Sequence, residues 1–456
     1  MKGDKKFTMS NTELNKTLQK LSSISYCAKS DPTFEFVSLA HHLNVEFLRD
    51  CYLNLDRNKA VGVDRVSWLE YNKDLDNNLN TLVDKLKRKA FKPLPAKRVY
   101  IPKGNGEMRP LGISTIENKI VESGIARIIG SIYEADFYDF SYGFRPNKNA
   151  HQALKVIGDS INFKPVNHIV EADIKGFFDN VEHDLLLEFL KIRIKDTSLL
   201  FLINRFLKAG YVDNNLLIKS EKGTPQGSIL SPILANVFLH YVLDTWFETT
   251  VKTHTKGYCE LVRYADDYVC LVQYENDASK ILRALHNRFN KYGLTLHPNK
   301  TRVFSFGRFE KQNAVRQNRK ANTFDFLGFT HYCDKTRKGY FKVGRKTSAK
   351  KFRAKVKELN LWLKGIRNRV LTKDWWKILS LKLQGHYEYY GISENYLSIL
   401  KFYKLAIKLA RKWMNRRSQR RTMSWKNMMS YLTYYPLPKP SIRHSFYTNS
   451  ISQYVS

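Results

Sequence analysis

Two adjacent carboxylates, Asp266 and Asp267, follow Arg263-Tyr264-Ala265 and are flanked on both sides by apolar residues. Side by side in a short turn they repel each other unless a cation sits between or beside them. Hard divalent cations such as Mg²⁺ take oxygen ligands, and two of them about 4 Å apart stabilise both ends of an in-line phosphoryl displacement. Such a site needs a further carboxylate from a neighbouring strand. Asp173, at the end of the apolar run IVEADI (169–174), is the natural third. Taken alone, an Asp-Asp pair also reads as a plain polar turn; Asp173 at the tip of a buried strand weighs against that. No Ser/His/Asp or Cys/His arrangement is required for this chemistry, and the twelve histidines show no zinc-ligand spacing.

The elements that must position these groups are legible from periodicity. Residues 260–273 (ELVRYADDYVCLVQ) read as two strands joined by a tight turn at Ala265-Asp266. Residues 97–101 (KRVYI) alternate like a strand and run into a hairpin turn at 102–106. Helical spacing marks 42–58, 68–90, 118–132, 181–194 and 278–292, and 231–248 reads as one long, mostly apolar helix. Residues 222–226 form a loop and 324–332 (FDFLGFTHY) look strand-like. From 348 the pattern is all-helical, roughly 348–368, 373–390, 394–417 and 424–432, ended by Pro436, Pro438 and Pro440. The boundary between the two halves is expected in the basic stretch 337–346, and residues 1–35 are expected to be polar and loosely ordered, with room for one helix.

Charge points to the partner. The 456 residues carry 77 Lys+Arg against 42 Asp+Glu, a net +35, and residues 331–456 alone hold 29 against 5, or +24. A chain this basic repels itself unless an anion neutralises it, and nucleic acid is the usual polyanion, an anionic membrane surface the runner-up. The C-terminal cations alternate with Trp362, Trp375, Trp376, Tyr387, Tyr389, Tyr390 and Trp413. That interleaving suggests stacking and cation–π contacts to nucleic acid rather than solvated helix faces. The composition, 43% hydrophobic, excludes a mainly disordered chain. No apolar run reaches the 18 or so residues of a membrane span, no apolar signal segment opens the chain, and five scattered cysteines form no CxxC pair. A reducing, cytoplasmic setting with no membrane partner is expected.

A set of longer segments now adds to this. In order they are KAVGVDRV, RVYIPKGNGEMRPLGIST, DFYDFSYGFRPNKNAHQAL, VEADIKGFFDNVEHDLL, GTPQGSILSPILANVFLHYVLD, VRYADDYVCLV, GLTLHPNKTRV, FDFLGF, GHYEYYGISEN and WMNRRSQRRTMSW. Across about residues 50–442 the sequence resembles the group II intron reverse transcriptases, or intron maturases. The resemblance implies an α+β fold: a right-hand polymerase with an antiparallel palm sheet, followed by an all-helical thumb and maturase domain X. The divisions it suggests are a polar segment 1–35, an N-terminal extension 36–96, fingers and palm 97–336, thumb and domain X 345–432, and a tail 433–456 without the endonuclease domain that many relatives carry.

By the same resemblance, Asp173, Asp266 and Asp267 match the polymerase carboxylates, with the Ile174 carbonyl as a further metal ligand for two Mg²⁺, Mn²⁺ being a possible substitute. Lys103 and Arg109 match residues that hold the incoming triphosphate; the lesser reading of them, taken on their own, is solvated turn charges. Phe178 matches the aromatic that rejects a 2′-hydroxyl, its other reading being a core ring beside Phe177. Gln226 matches a nucleotide and template contact, and Lys300 is a weaker nucleotide candidate. Tyr264, Gly227, Leu327 and Gly328 are expected along primer and template, and Arg416, Arg417, Arg420 and Arg421 on RNA. The implied partners are group II intron RNA, an RNA template with a DNA primer, dNTPs and target DNA, with the oligomeric state undecided. Two other readings compete: a domesticated reverse transcriptase in phage defence, DNA repair or CRISPR spacer capture, and a non-catalytic RNA-binding splicing factor. The complete carboxylate set speaks against the latter.

Overall fold

In the computed structural model of the chain, residues 11–102, 108–417 and 423–447 are described. They form two compact units. The first comprises Met1–Asn149, Val170–Cys270 and Asn276–Val303; the second comprises Ala150–Ile169, Leu271–Glu275 and Phe304–Ser456. Among the described residues no helix is long and apolar enough to cross a membrane.

Unit 1 is organised by the helix Ile116–Tyr133, which is apolar around most of its circumference and buried along its length. Such a helix needs neighbours on all sides, and Asn11–Ser30 and Val45–Leu53 both pack on it. Its start is fixed by Thr115, whose hydroxyl accepts from the Asn118 N–H. Within residues 1–35, Asn11–Ser30 forms one helix, with Ile24 and Ala28 buried. The pattern over 68–90 resolves into Trp68–Tyr71 and Leu75–Lys87.

Two sheets carry the functional residues of this unit, and in the second the strands β3, β7 and β8 each continue into the residues of unit 2. In the first, β1 (Ala96–Pro102) and β2 (Met108–Ile113) form the expected antiparallel hairpin, with Ile101 opposite Arg109. β1 also pairs in parallel with β4 (Tyr211–Asp213), which turns back into β5 (Leu216–Ile218), a hairpin its short strands hide in the sequence. The second sheet has the order β6-β7-β3-β8, with β3 His168–Ala172, β6 Cys259–Tyr264, β7 Asp267–Val272 and β8 Arg302–Ser305.

The expected helix over 231–248 begins as an α-helix, Ser231–Leu239, and is interrupted by two π-helical turns, His240–Asp244 and Phe247–Val251. Unit 2 contains the helix Ala150–Phe163, the short helix Glu310–Arg316, a three-stranded antiparallel sheet and four C-terminal helices. The helices, Ala349–Ile366, Thr372–Tyr390, Tyr396–Asn415 and Trp425–Tyr434, lie close to their expected spans. The sheet has the order β11-β10-β9, with β9 Thr323–Phe326, β10 Phe329–Lys335 and β11 Phe341–Thr347. The single strand expected over 324–332 is thus a hairpin turning at Leu327-Gly328, both with positive φ. The stretch 337–346, expected to be a boundary, is largely β11, whose Lys342 and Arg345 pair with Asp334 and Glu394.

The C-terminal aromatics are also corrected. Trp375, Trp376, Tyr387, Tyr390 and Trp413 are buried and make the core of the helices, while Trp362 and Tyr389 are half-buried. Rings at helical spacing fill the inter-helix space, because burying one removes far more apolar area from water than stacking it on a mobile base. The cations cover them: Arg367, Lys412 and Arg416 all lie over the Trp413 ring.

Candidate active site

The carboxylates meet where two neighbouring strands end. β3 and β7 are neighbours in the sheet; the Asn167 N–H donates to the Val272 carbonyl at one end and the charge of Asp173 acts on Asp266 at the other, so the two strands run in opposite directions. Moving forward along β3 and backward along β7 from that bond leads to Asp173 and to Asp266-Asp267 at the same edge. The electrostatics agree. Burial pushes the Asp266 carboxyl above the usual range and the charge of Asp173 adds to the push, while Arg109 and Arg263 pull it back.

The segment 295–297 fixes Asp173. The His297 N–H donates to the Asp173 carbonyl at 2.7 Å and the Lys175 N–H to the Thr295 carbonyl at 2.8 Å, flanking the bridge between Ile174 and Leu296. That pattern turns the N–H and C=O of Ile174 itself away from Leu296, toward the β7 side. Lys300, in the short turn Pro298–Lys300, stands at the same strand end, its ammonium paired with the Asp173 carboxylate.

The nucleotide candidates gather beside the carboxylates. Arg109 Nε donates to Gln226 Oε1 at 2.9 Å. The Gly112 N–H donates to the Gln226 carbonyl at 2.6 Å, tying the loop 222–228 to β2. Gly227 has φ +112°, and a Cβ there would stand 2.5 Å from the Gly112 carbonyl, so the crossing requires glycine. The same loop reaches Phe178, whose carbonyl accepts the Thr224 N–H at 2.6 Å. Of the two adjacent rings, Phe177 is buried against Phe238 and Phe178 is half-buried. Glu122, buried and missed from sequence, accepts from Ser114 and from the Ile229 N–H, anchoring the far end of the loop. Tyr264, half-buried, precedes the carboxylate turn.

Other expected residues lie elsewhere. Leu327 and Gly328 are in unit 2, where the Tyr389 hydroxyl donates to the Leu327 carbonyl at 2.8 Å. Arg416 is exposed, and Arg417 is half-buried with its guanidinium on the Thr372 hydroxyl. Lys103, Arg420 and Arg421 lie outside the described residues.

Among the described residues no three His, Cys, Asp or Glu side chains stand close enough to hold a metal as they are. The donor set nevertheless fits a hard divalent cation. It offers oxygen only, at adjacent strand ends, with a half-buried carboxyl facing a like charge that a cation would relieve.

The family described as reverse transcriptase (RNA-dependent DNA polymerase) matches residues 101–331, just over half of the chain. The chain belongs to the reverse transcriptase family. Reverse transcriptases use divalent metal ions, in keeping with that donor set. The group II intron-encoded protein LtrA of Lactococcus lactis subsp. cremoris is 41% identical over 190 residues, which is 41% of this chain and 31% of that protein. Protein YkfC of Escherichia coli (strain K12) is 33% identical over 243 residues, 46% of this chain and 63% of the relative. An uncharacterized 91 kDa protein in the cob intron of Schizosaccharomyces pombe is 40% identical over 170 residues, 37% of this chain and 21% of the relative. The matched stretch thus spans less than two thirds of each of these relatives. The resemblance to group II intron reverse transcriptases and maturases read from the motifs is borne out by these relatives.

Proposed function

We propose that the chain is an RNA-directed DNA polymerase of the group II intron kind. It copies RNA into DNA from a primer and dNTPs, and binds its intron RNA to assist splicing and mobility. The observation that carries the polymerase reading is the meeting of Asp173 with Asp266-Asp267 at one sheet edge, with the Arg109–Gln226 pair beside them. Asp173, Asp266, Asp267 and the Ile174 carbonyl would hold two Mg²⁺ ions, or Mn²⁺, which supply charge neutralisation at the attacking and leaving oxygens.

The remaining steps are positioning. Arg109, steadied by Gln226, offers a planar fork to the triphosphate oxygens. Phe178 meets the sugar edge, and Tyr264 lines the primer terminus. The primer 3′-hydroxyl attacks the α-phosphorus and pyrophosphate leaves, with no covalent enzyme intermediate; the protein holds reactants in line. The RNA-binding part of the reading rests on the +24 of residues 331–456.

The test is primer extension on an RNA template by Asp266→Asn. Losing a charge-stabilising ligand removes several kcal/mol at the transition state, so activity should fall on the order of a thousandfold or more while RNA affinity stays within about threefold. Near-parental extension by that variant overturns the assignment.

A further inference from the structure

Arg263, three residues before Asp266, is a fully buried arginine, and the polymerase reading gives it no work. It has no exposed side-chain surface, and neither has its partner Asp244. Its Nε donates to Asp244 Oδ1 at 2.7 Å and its Nη2 to Asp244 Oδ2. Its Nη1 donates to Asn236 Oδ1 at 3.0 Å and to the Ala265 carbonyl at 3.1 Å. That last bond lands inside the turn that presents Asp266 and Asp267. Ala265 sits there with φ +56°, a left-handed conformation that a residue with a Cβ adopts only when its surroundings impose it.

Three further contacts close a frame around the turn. The Asn236 amide donates to the Gly143 carbonyl at 2.8 Å. The Arg263 N–H donates to the Phe140 carbonyl, and the Tyr142 N–H to the Arg263 carbonyl. Gly143 lies so close that a Cβ would stand 2.3 Å from the Ala265 nitrogen. The segment holding Gly143 is itself pinned by Arg145, buried on Glu134 and on the carbonyls of Tyr138 and Ser141.

The helix geometry supplies the other end. In an unbroken α-helix Asp244 would lie about 80° around the axis from Asn236. The π-helical turn His240–Asp244 advances less per residue, so Asn236 and Asp244 reach the same guanidinium. A π turn costs hydrogen-bond geometry, and here it has a structural use.

We infer that Arg263 is a positioning residue for nucleotidyl transfer: clamped by Asp244 and Asn236, it holds the Ala265 carbonyl and so sets the left-handed turn that aims Asp266 and Asp267. A buried ion pair whose only work was to support the fold could be replaced by apolar side chains of similar volume at little cost. Here the same replacement spares the fold but not the turn, because no apolar residue bonds the Ala265 carbonyl.

The inference rests on the polymerase reading of the carboxylates, and the experiment separates the two. The double variant Arg263→Met/Asp244→Leu removes both buried charges and should melt within a few degrees of the parent. Its kcat for primer extension should fall about a hundredfold, with the KM for dNTP within about threefold. Mn²⁺ binding to the enzyme without substrate, read by electron paramagnetic resonance, should weaken about tenfold. Should the double variant fail to fold, Arg263→Lys keeps the charge opposite Asp244 but cannot span to Ala265, and it should show the same kcat and Mn²⁺ losses. A folded variant with parental kcat and Mn²⁺ affinity overturns the inference, provided Asp266→Asn is inactive in the same assay. An active Asp266→Asn overturns instead the reading on which it rests.

Discussion

Charged residues serve opposite purposes in the two units. Behind the carboxylates of unit 1 the supporting charges are sealed in: Arg263, Arg145 and Glu122 are buried, each fixing a named backbone atom or loop, and buried Asp244 clamps Arg263. In unit 2 the cations are many and mostly exposed, lying over a core of Trp375, Trp376, Tyr387 and Trp413. Unit 1 uses charge for geometry, one atom at a time, where a single change is decisive. Unit 2 uses charge as a field, where loss is graded and salt-dependent.

The largest contrast is Asp266→Asn against charge reversal of Arg416, Arg420 and Arg421; Arg417 is spared because it holds the Thr372 hydroxyl. The aspartate variant should lose synthesis on the order of a thousandfold and keep RNA binding. The arginine variant should lose RNA affinity and splicing assistance while still extending a primer on a short unstructured template. Each phosphate left without its cation lowers the log–log salt slope by roughly 0.7 to 0.9, so its slope should drop by about two. If polymerisation and splicing fall in equal proportion, the division of labour between the units is wrong.

A smaller effect is expected at Phe178. Truncation to Ala opens the sugar side of the site, so the ratio of kcat/KM for dNTP over rNTP should fall on the order of tenfold. An unchanged ratio makes Phe178 a packing ring like its neighbour Phe177.

The same contrast explains what was legible in the sequence. Asp173, Asp266 and Asp267 announce themselves because strand alternation around them and the oddity of adjacent carboxylates are both local signals. The β1–β2 hairpin and the C-terminal helices follow from periodicity alone. Arg263–Asp244 was hidden, because the pair is 19 residues apart and meets only through a π-helical turn that no apolar pattern encodes. SYGFRP stood out as a motif, but its work became visible only with Gly143 against Ala265. The aromatics of unit 2 misled because composition records that rings and cations alternate, not which of them faces inward.

The smallest effect tests whether unit 2 is held by buried, uncharged rings. His331 is fully buried, stacked on Phe324 with centroids 4.6 Å apart. Burial, helped by the charge of Arg345, pushes its pKa down to about 3 from an ordinary 6.5. His386, stacked on Phe402, is pushed down to about 4 by burial and then Lys355. A histidine whose folded pKa is depressed binds fewer protons folded than unfolded. Its stabilisation is full above about pH 6.5 and is lost progressively as pH falls toward the folded values. At pH 5 the His331 share alone is on the order of 2 kcal/mol, since each pKa unit corresponds to about 1.4 kcal/mol. His331→Phe keeps a ring on Phe324 and has nothing to protonate, so its Tm should fall a few degrees less than the parent's between pH 7.5 and pH 5. An equal fall in both proteins would mean that acid acts through the surface charge field instead, and the contrast between a ring-filled interior and a charged exterior in unit 2 would have to be redrawn.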